Sequence, residues 1–178
     1  VAPATVFVEA TDLRFSATDY VGTLLRTTSV LRITRPIVDG QGFEYCSPEA
    51  RCRFALDMPT AGIIEVNCRY TGTVTRTDTF NPDAVVLVDG VEHGRYTQTK
   101  ALPATPHPVA NVSLDIVLAP GSHTVEIIYP YCAAFDFQSI RHPVNAMLRL
   151  AAPRPSKTLI AFGDSRIHGF NSTVATKS

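Results

Sequence analysis

One hydroxyl in this chain sits where a nucleophile would be presented. It is Ser165, in the stretch Lys157-Thr-Leu-Ile-Ala-Phe-Gly-Asp-Ser-Arg-Ile-His-Gly-Phe170. Residues 158–162 are a short apolar run, and Gly163-Asp164-Ser165 comes directly after it. Such a run ending in a tight turn reads as a buried strand. Glycine lets the backbone turn sharply and leaves room close to the main chain. A serine at that turn, with a helix starting after it, would hold its hydroxyl at the carboxyl end of the strand, where open α/β sheets place their sites. The free N–H groups of the helix start suit a developing oxyanion. The alternative is an ordinary turn, since Gly-Asp-Ser is also common turn chemistry.

The other reactive side chains form no second constellation. The cysteines are Cys46, Cys52, Cys68 and Cys132. Cys46 and Cys52 flank Ser-Pro-Glu-Ala-Arg, a turn-forming sequence, and neither pair has the Cys-x-x-Cys spacing of a zinc site. An even count permits two bridges, most simply Cys46–Cys52 and Cys68–Cys132, and bridges imply export. Four reduced, buried thiols are the alternative. The histidines His93, His107, His123, His142 and His168 are scattered and read as surface or loop groups. No metal site or cofactor is expected. Tyr129, Tyr131, Phe135 and Phe137 cluster, either as core packing at a sheet edge or as a sugar-facing ledge. Asp136 among them reads as a solvated turn group.

The elements that must position these groups are strands. Residues 5–9 form a first short strand, and residues 23–35 are rich in Leu, Val, Ile and Thr. Phe54, Leu56 and Met58 alternate with polar or small residues, and so do Ile64, Val66, Cys68 and Tyr70. Alternation of this kind gives a strand with one face in and one face out. Residues 83–88 run into Asp89-Gly90, a strong hairpin signal, and residues 91–97 return. Val112, Leu114, Ile116 and Leu118 alternate up to the Pro120-Gly121 turn. Val125, Ile127 and Tyr129 form another strand, and residues 146–150 a last one. About nine such strands with one apolar face each require two packed sheets. The expected fold is a mainly β, jelly-roll-like β-sandwich over residues 1–152. A stiff Pro-containing linker occupies residues 153–156. The strand-turn-helix of a second, α/β domain begins over residues 157–178.

The block Leu159-Ile-Ala-Phe-Gly-Asp-Ser165, with Gly169 four residues on, resembles the first sequence block of the SGNH (GDSL-type) hydrolases. The resemblance implies that Ser165 is the nucleophile, that its own N–H contributes to the oxyanion hole, and that Gly163 and Asp164 shape the turn. In that family Ile-Thr usually comes after the serine, and here Arg166-Ile167 does. The family's late Asp-x-x-His pair occurs nowhere in these 178 residues. The expectation is therefore a sandwich plus only the first block of the hydrolase domain, with the rest of that domain as partner. A sandwich succeeded by this block resembles the two-domain carbohydrate esterases of the superfamily. That implies hydrolysis of acyl, commonly acetyl, esters on carbohydrates or small esters. The alternative is a non-catalytic module, carbohydrate-binding or structural.

Charge narrows the partners. Acidic and basic residues are equal at sixteen each, so the formal net charge is zero. Nothing in that balance suggests nucleic acid. No apolar run is long enough to span a membrane as a helix. With the cysteine count, this makes a secreted or extracytoplasmic protein the expectation.

Overall fold

The computed structural model describes residues 4–18, 23–34, 50–70, 83–96, 110–130 and 135–154. The expected nucleophile Ser165, with Gly163 and Asp164, lies outside the described residues, as do Cys46, Cys132 and the whole of 157–178. Within the described residues there are twelve strands and no helix. They are β1 (Thr5–Glu9), β2 (Ser16–Thr18), β3 (Thr23–Arg26), β4 (Leu31–Thr34), β5 (Arg51–Met58), β6 (Gly62–Tyr70), β7 (Ala84–Val88), β8 (Val91–Tyr96), β9 (Ala110–Leu118), β10 (Gly121–Ile128), β11 (Phe135–Pro143) and β12 (Met147–Arg149).

The strands form two six-stranded sheets. The first runs β3-β4-β11-β6-β9, and the second β12-β5-β10-β7-β8. All pairings are antiparallel. Since β6 occupies one edge of β11, β1 and β4 succeed one another along its other edge. In the second sheet β10 takes one edge of β5, and β2 and β12 share the other. The chain is thus mainly β, with two antiparallel sheets packed on a common core, the architecture that a jelly-roll-like sandwich requires.

The core is where the alternation aimed its apolar residues. Phe54, Leu56, Ile64, Val66, Ile116, Val125, Ile127 and Ile140 are buried in one cluster drawn from both sheets. Burying such side chains contributes about 1.5–3 kcal/mol each. Phe15 stands between the sheets, its ring edge-on to Phe54 at 5.3 Å and to Phe137 at 4.7 Å. Three tyrosine hydroxyls then fasten one sheet to the backbone of the other. Tyr70 on β6 donates to the Tyr96 carbonyl at 2.8 Å. Tyr96 on β8 donates to the Val66 carbonyl at 2.5 Å. Tyr129, just after β10, donates to the Leu31 carbonyl at 2.7 Å. Each satisfies its polar atom inside an apolar core, which is what burial of a phenol demands. Tyr129, Phe135 and Phe137 are therefore core residues and not a ligand ledge.

One sequence reading is sharpened, one changes and one holds. The stretch rich in Leu, Val, Ile and Thr folds as a hairpin, β3 and β4, because Thr27-Thr-Ser29 interrupts it and the Thr27 N–H donates to the Val30 carbonyl at 2.9 Å. The stretch around Asp136 is not a turn but β11, which lies inside the first sheet. Asp136 is fully buried, although it points away from the core. Two arginines, Arg32 and Arg69, replace its solvation. The expected hairpin at Asp89-Gly90 is present: both residues have positive φ, 51° and 81°, as a two-residue turn of this hand needs. Asp89 also clips the turn to β10, its carboxylate accepting from the Thr124 N–H at 2.8 Å and meeting His123 Nδ1 at 2.8 Å.

Candidate functional site

The described cysteines are not bridged. Cys52 on β5 and Cys68 on β6 are free thiols, both fully buried in the core cluster. Their expected bridge partners, Cys46 and Cys132, lie outside the described residues. Both thiols project inward among apolar side chains. Burial pushes both thiols well above their ordinary pKa, and the proximity of Cys52 adds to the shift at Cys68. Thiols held neutral in this way are poor nucleophiles and poor metal ligands. Of the described histidines, His93 is exposed, while His142 on β11 is buried against the Pro143 carbonyl at 2.9 Å, contrary to the surface reading. Among the described residues no three His, Cys, Asp or Glu side chains gather in a way that could hold a metal.

What the two sheets do carry is on their outer faces. Across the first sheet the register lines up rows of outward side chains. Phe7 on β1 stands opposite Arg141 on β11, Arg141 opposite Glu65 on β6, and Glu65 opposite Asp115 on β9. The next row is Glu9, Ser139, Asn67 and Ser113 on the same four strands. Just beyond the second row β11 has an irregularity, with Gln138 as the extra residue between Phe137 and Ser139. A bulge of this kind re-aims side chains and is common beside functional sites.

These rows floor an open groove of about 350 Å³, rimmed by Thr28 and Ser29 of the β3–β4 turn and by Asn111. The Phe7 ring is 52% exposed, and the Arg141 guanidinium lies over it with Cζ 5.4 Å from the centroid. The Asn67 amide donates to Glu65 Oε1 at 2.7 Å, and Arg141 is 3.8 Å from the same carboxylate oxygen. The groove thus offers carboxylate acceptors, amide groups of both kinds, a guanidinium donor and one flat apolar ring. No histidine or cysteine lines it. That set can hold a polar, uncharged ligand by many hydrogen bonds, and among these side chains there is no nucleophile paired with a base.

Beside the groove, Asp136 accepts a forked pair from Arg32, Nε at 2.6 Å and Nη2 at 2.9 Å, and a further bond from Arg69 Nη2 at 2.8 Å. Arg32 and Arg69 are its ladder neighbours on β4 and β6. This triad braces three strands and fixes the floor from which the groove rises.

Sequence reasoning missed the groove. Its only signal there is the run of polar outward positions, Glu65-Asn67-Arg69 and Asn111-Ser113-Asp115. Alternation gives the face of each residue but not which strands are neighbours.

No family model matches the chain, and no curated protein does. Among solved structures, a salicylyl-acyltransferase from a tetracycline biosynthetic pathway, SsfX3, aligns over 84% of this chain with 18% identity and a TM-score of 0.59. The match takes up 42% of that protein's chain. A family 35 carbohydrate-binding module from an environmental isolate aligns over 83% of this chain and 99% of its own, with 14% identity and a TM-score of 0.48. A module of the same family from Cellvibrio japonicus aligns over 84% of this chain and 99% of its own, with 15% identity and a TM-score of 0.46. At these identities the likeness to the acyltransferase chain concerns the fold, a two-sheet β-sandwich. No helix of the described residues is long and apolar enough to cross a membrane.

Proposed function

We propose that residues 4–154 are a carbohydrate-binding sandwich, with the saccharide lying in the groove on the outer face of the first sheet. The observation that carries this reading is the pair of rows Phe7-Arg141-Glu65 and Glu9-Ser139-Asn67. A sugar presents vicinal hydroxyls, each both donor and acceptor, and a C–H face. Carboxylates and amides meet the hydroxyls, and the exposed Phe7 ring meets the C–H face. The groove is open to solvent, so a chain can lie across it rather than be enclosed. Binding at such an exposed polar site is weak, with Kd of about 0.1–1 mM.

The test is an NMR titration of the isotopically labelled chain with a panel of neutral, acidic and acetylated oligosaccharides. Shifts confined to β1, β6, β11 and the β3–β4 turn are expected. Asn67→Ala should weaken binding roughly tenfold, the loss of one or two hydrogen bonds to ligand, without changing thermal stability by more than a few degrees. If no member of the panel moves these signals, the groove is not a saccharide site.

A second reading joins this one, favoured by the Leu159-Ile-Ala-Phe-Gly-Asp-Ser165 block on the carboxyl side of the sandwich. In it the sandwich serves a serine esterase acting on acylated carbohydrate. A sandwich of this fold does occur within an acyltransferase chain. Ser165 Oγ would attack the ester carbonyl, and the sugar hydroxyl would leave with the proton taken from the serine. Water would then release the acid from the acyl-serine. The histidine that moves these protons and the further oxyanion donors belong to the rest of the hydrolase domain. Acetate release from an acetylated oligosaccharide by the whole protein should fall at least about 10³-fold in Ser165→Ala, as loss of a nucleophile does. Release that is unaffected by the substitution would remove Ser165 from the reaction.

A further inference from the structure

The outward positions of β6 and β9 change character at one rung of their ladder. The outward pairs run Arg69–Asn111, Asn67–Ser113, Glu65–Asp115 and then Ile63–Val117. The first three pairs are polar, and they give Asn111, Asn67 and Glu65 to the groove. The fourth is aliphatic, and its members are 54% and 65% exposed. Their neighbours along the strands, Ile64, Ile116 and Leu118, enter the core, so Ile63 and Val117 face outward by alternation.

Lone aliphatic side chains on a surface are ordinary. This pair differs in being matched across the ladder and in continuing the floor of the groove. One outward rung, about 7 Å along the strands, separates Ile63 from Glu65. In the other direction the row Glu65-Arg141-Phe7 crosses two strand spacings, about 10 Å, to the half-exposed Phe7 ring. The face thus has a flat ring at one corner, hydrogen-bonding groups between, and an aliphatic pair at the other corner. A stable protein interface buries about 800 Å² on each partner, which two aliphatic side chains cannot supply. A substituent a few carbons long is enough to cover them.

We propose that the saccharide held by the groove carries an apolar substituent, an O-alkyl or O-acyl group, and that Ile63 and Val117 are the subsite for it. The inference rests on the saccharide reading of the groove and adds the class of ligand. Phe7 meets the C–H face of one sugar, and Glu65 and Asn67 bind hydroxyls. The substituent then runs from the last sugar along the strands onto the aliphatic pair. An unsubstituted sugar leaves Ile63 and Val117 in water, and a substituted one removes them from it. Because two exposed side chains on an open face are only partly covered, the preference is roughly fivefold for a four-carbon chain.

The test is an NMR titration of the isotopically labelled chain with cellobiose, xylobiose, mannobiose and lactose, each as the free sugar and as its butyl β-glycoside. Glycosides are used because an ester-cleaving activity does not consume them. The butyl glycoside of a disaccharide that binds should bind roughly fivefold tighter than the free sugar, and it alone should shift the Ile63 and Val117 signals. The double variant Ile63→Thr, Val117→Thr keeps β-branched residues at exposed strand positions, and it should bind the two forms alike. Equal affinities in the unsubstituted chain, or tighter binding of the glycoside with no shift at Ile63 and Val117, would overturn the inference and leave the saccharide reading intact. The same shifts produced by 1-butanol alone at equal concentration would also overturn it, since they would mark a general apolar patch. If neither form of any disaccharide moves the groove signals, the saccharide reading itself fails, and this inference with it. Should the variant not fold, the shifts in the unsubstituted chain decide.

Discussion

The two outer faces of the sandwich are built on the same device and use it differently. Each has a carboxylate on an interior strand, Asp136 on β11 and Glu126 on β10, held by arginines from neighbouring strands. On the first sheet the arginine side chains keep contact with water, Arg32 at 21% and Arg69 at 33% exposure. The groove beside them is open. On the second sheet Arg51 and Arg53 are only 11% and 9% exposed, and aliphatic side chains are sealed next to them. An ion pair that can turn to water suits a face that meets a soluble ligand. An ion pair that cannot turn to water belongs to a face that is already covered. The difference shows that a charged cluster on a sheet is not by itself a sign of a solvent surface.

The sharpest way to break this comparison is to remove each carboxylate. Glu126→Ala leaves three arginines, two of them nearly buried, around an empty site. Loss of one partner of a buried pair costs about 3–5 kcal/mol, and the upper end is expected here. Asp136→Ala leaves Arg32 and Arg69, which can swing outward, so the loss should lie near the lower end of that range, about 3 kcal/mol. Chemical denaturation of the two variants side by side checks the order. Equal losses, or a larger loss at Asp136, would mean that the second face is no drier than the first. Acid should weaken the Glu126 cluster. Burial raises the pKa of Glu126, but the bond from Arg51 and the fields of Arg154, Arg51 and Arg53 outweigh it and hold the group below the usual carboxylate range. Its contribution is therefore present above the unfolded pKa and is lost as pH falls through the lowered one.

The smallest effect expected is at the Asp89 hairpin, an exposed ion pair with neither the cover of the second face nor the bracing of the first. His123 has its pKa raised, chiefly by the bond to Asp89. A raised histidine contributes stability that is fully present below its unfolded pKa of about 6.5 and is lost as pH rises through the folded value. Because the pair is partly solvated, that contribution is about 0.2–1 kcal/mol. An NMR titration should place His123 above the ordinary histidine value, and the Thr124 amide should track the same curve. A midpoint at or below the ordinary value would show that the clip does not form in solution.

Much of this was legible in the chain because side-chain period is a local property. The alternation in 54–58, 64–70, 112–118 and 125–129 assigned each residue to a face, and the Asp89-Gly90 dipeptide set its own turn, since few residue pairs accept two positive φ angles in succession. The same local rules failed where a residue's environment is made by distant chain. Asp136 reads as a turn group because a carboxylate between two phenylalanines has no nearby partner. Its partners, Arg32 and Arg69, are 104 and 67 positions away. Cys52 and Cys68 have sequence neighbours that suggest bridges, but their facing positions in the core leave them as buried thiols. The groove was illegible for the same reason, because Phe7, Arg141, Glu65 and Asn67 become neighbours only when β1, β11 and β6 pair. The sequence by itself thus determined which residues lie inward and where the chain turns, because those depend on periods of two and on single dihedrals. Which strands are adjacent, and so which outward side chains form a site and which face is sealed, depends on pairings between distant segments. Those pairings were decided by the tertiary structure alone.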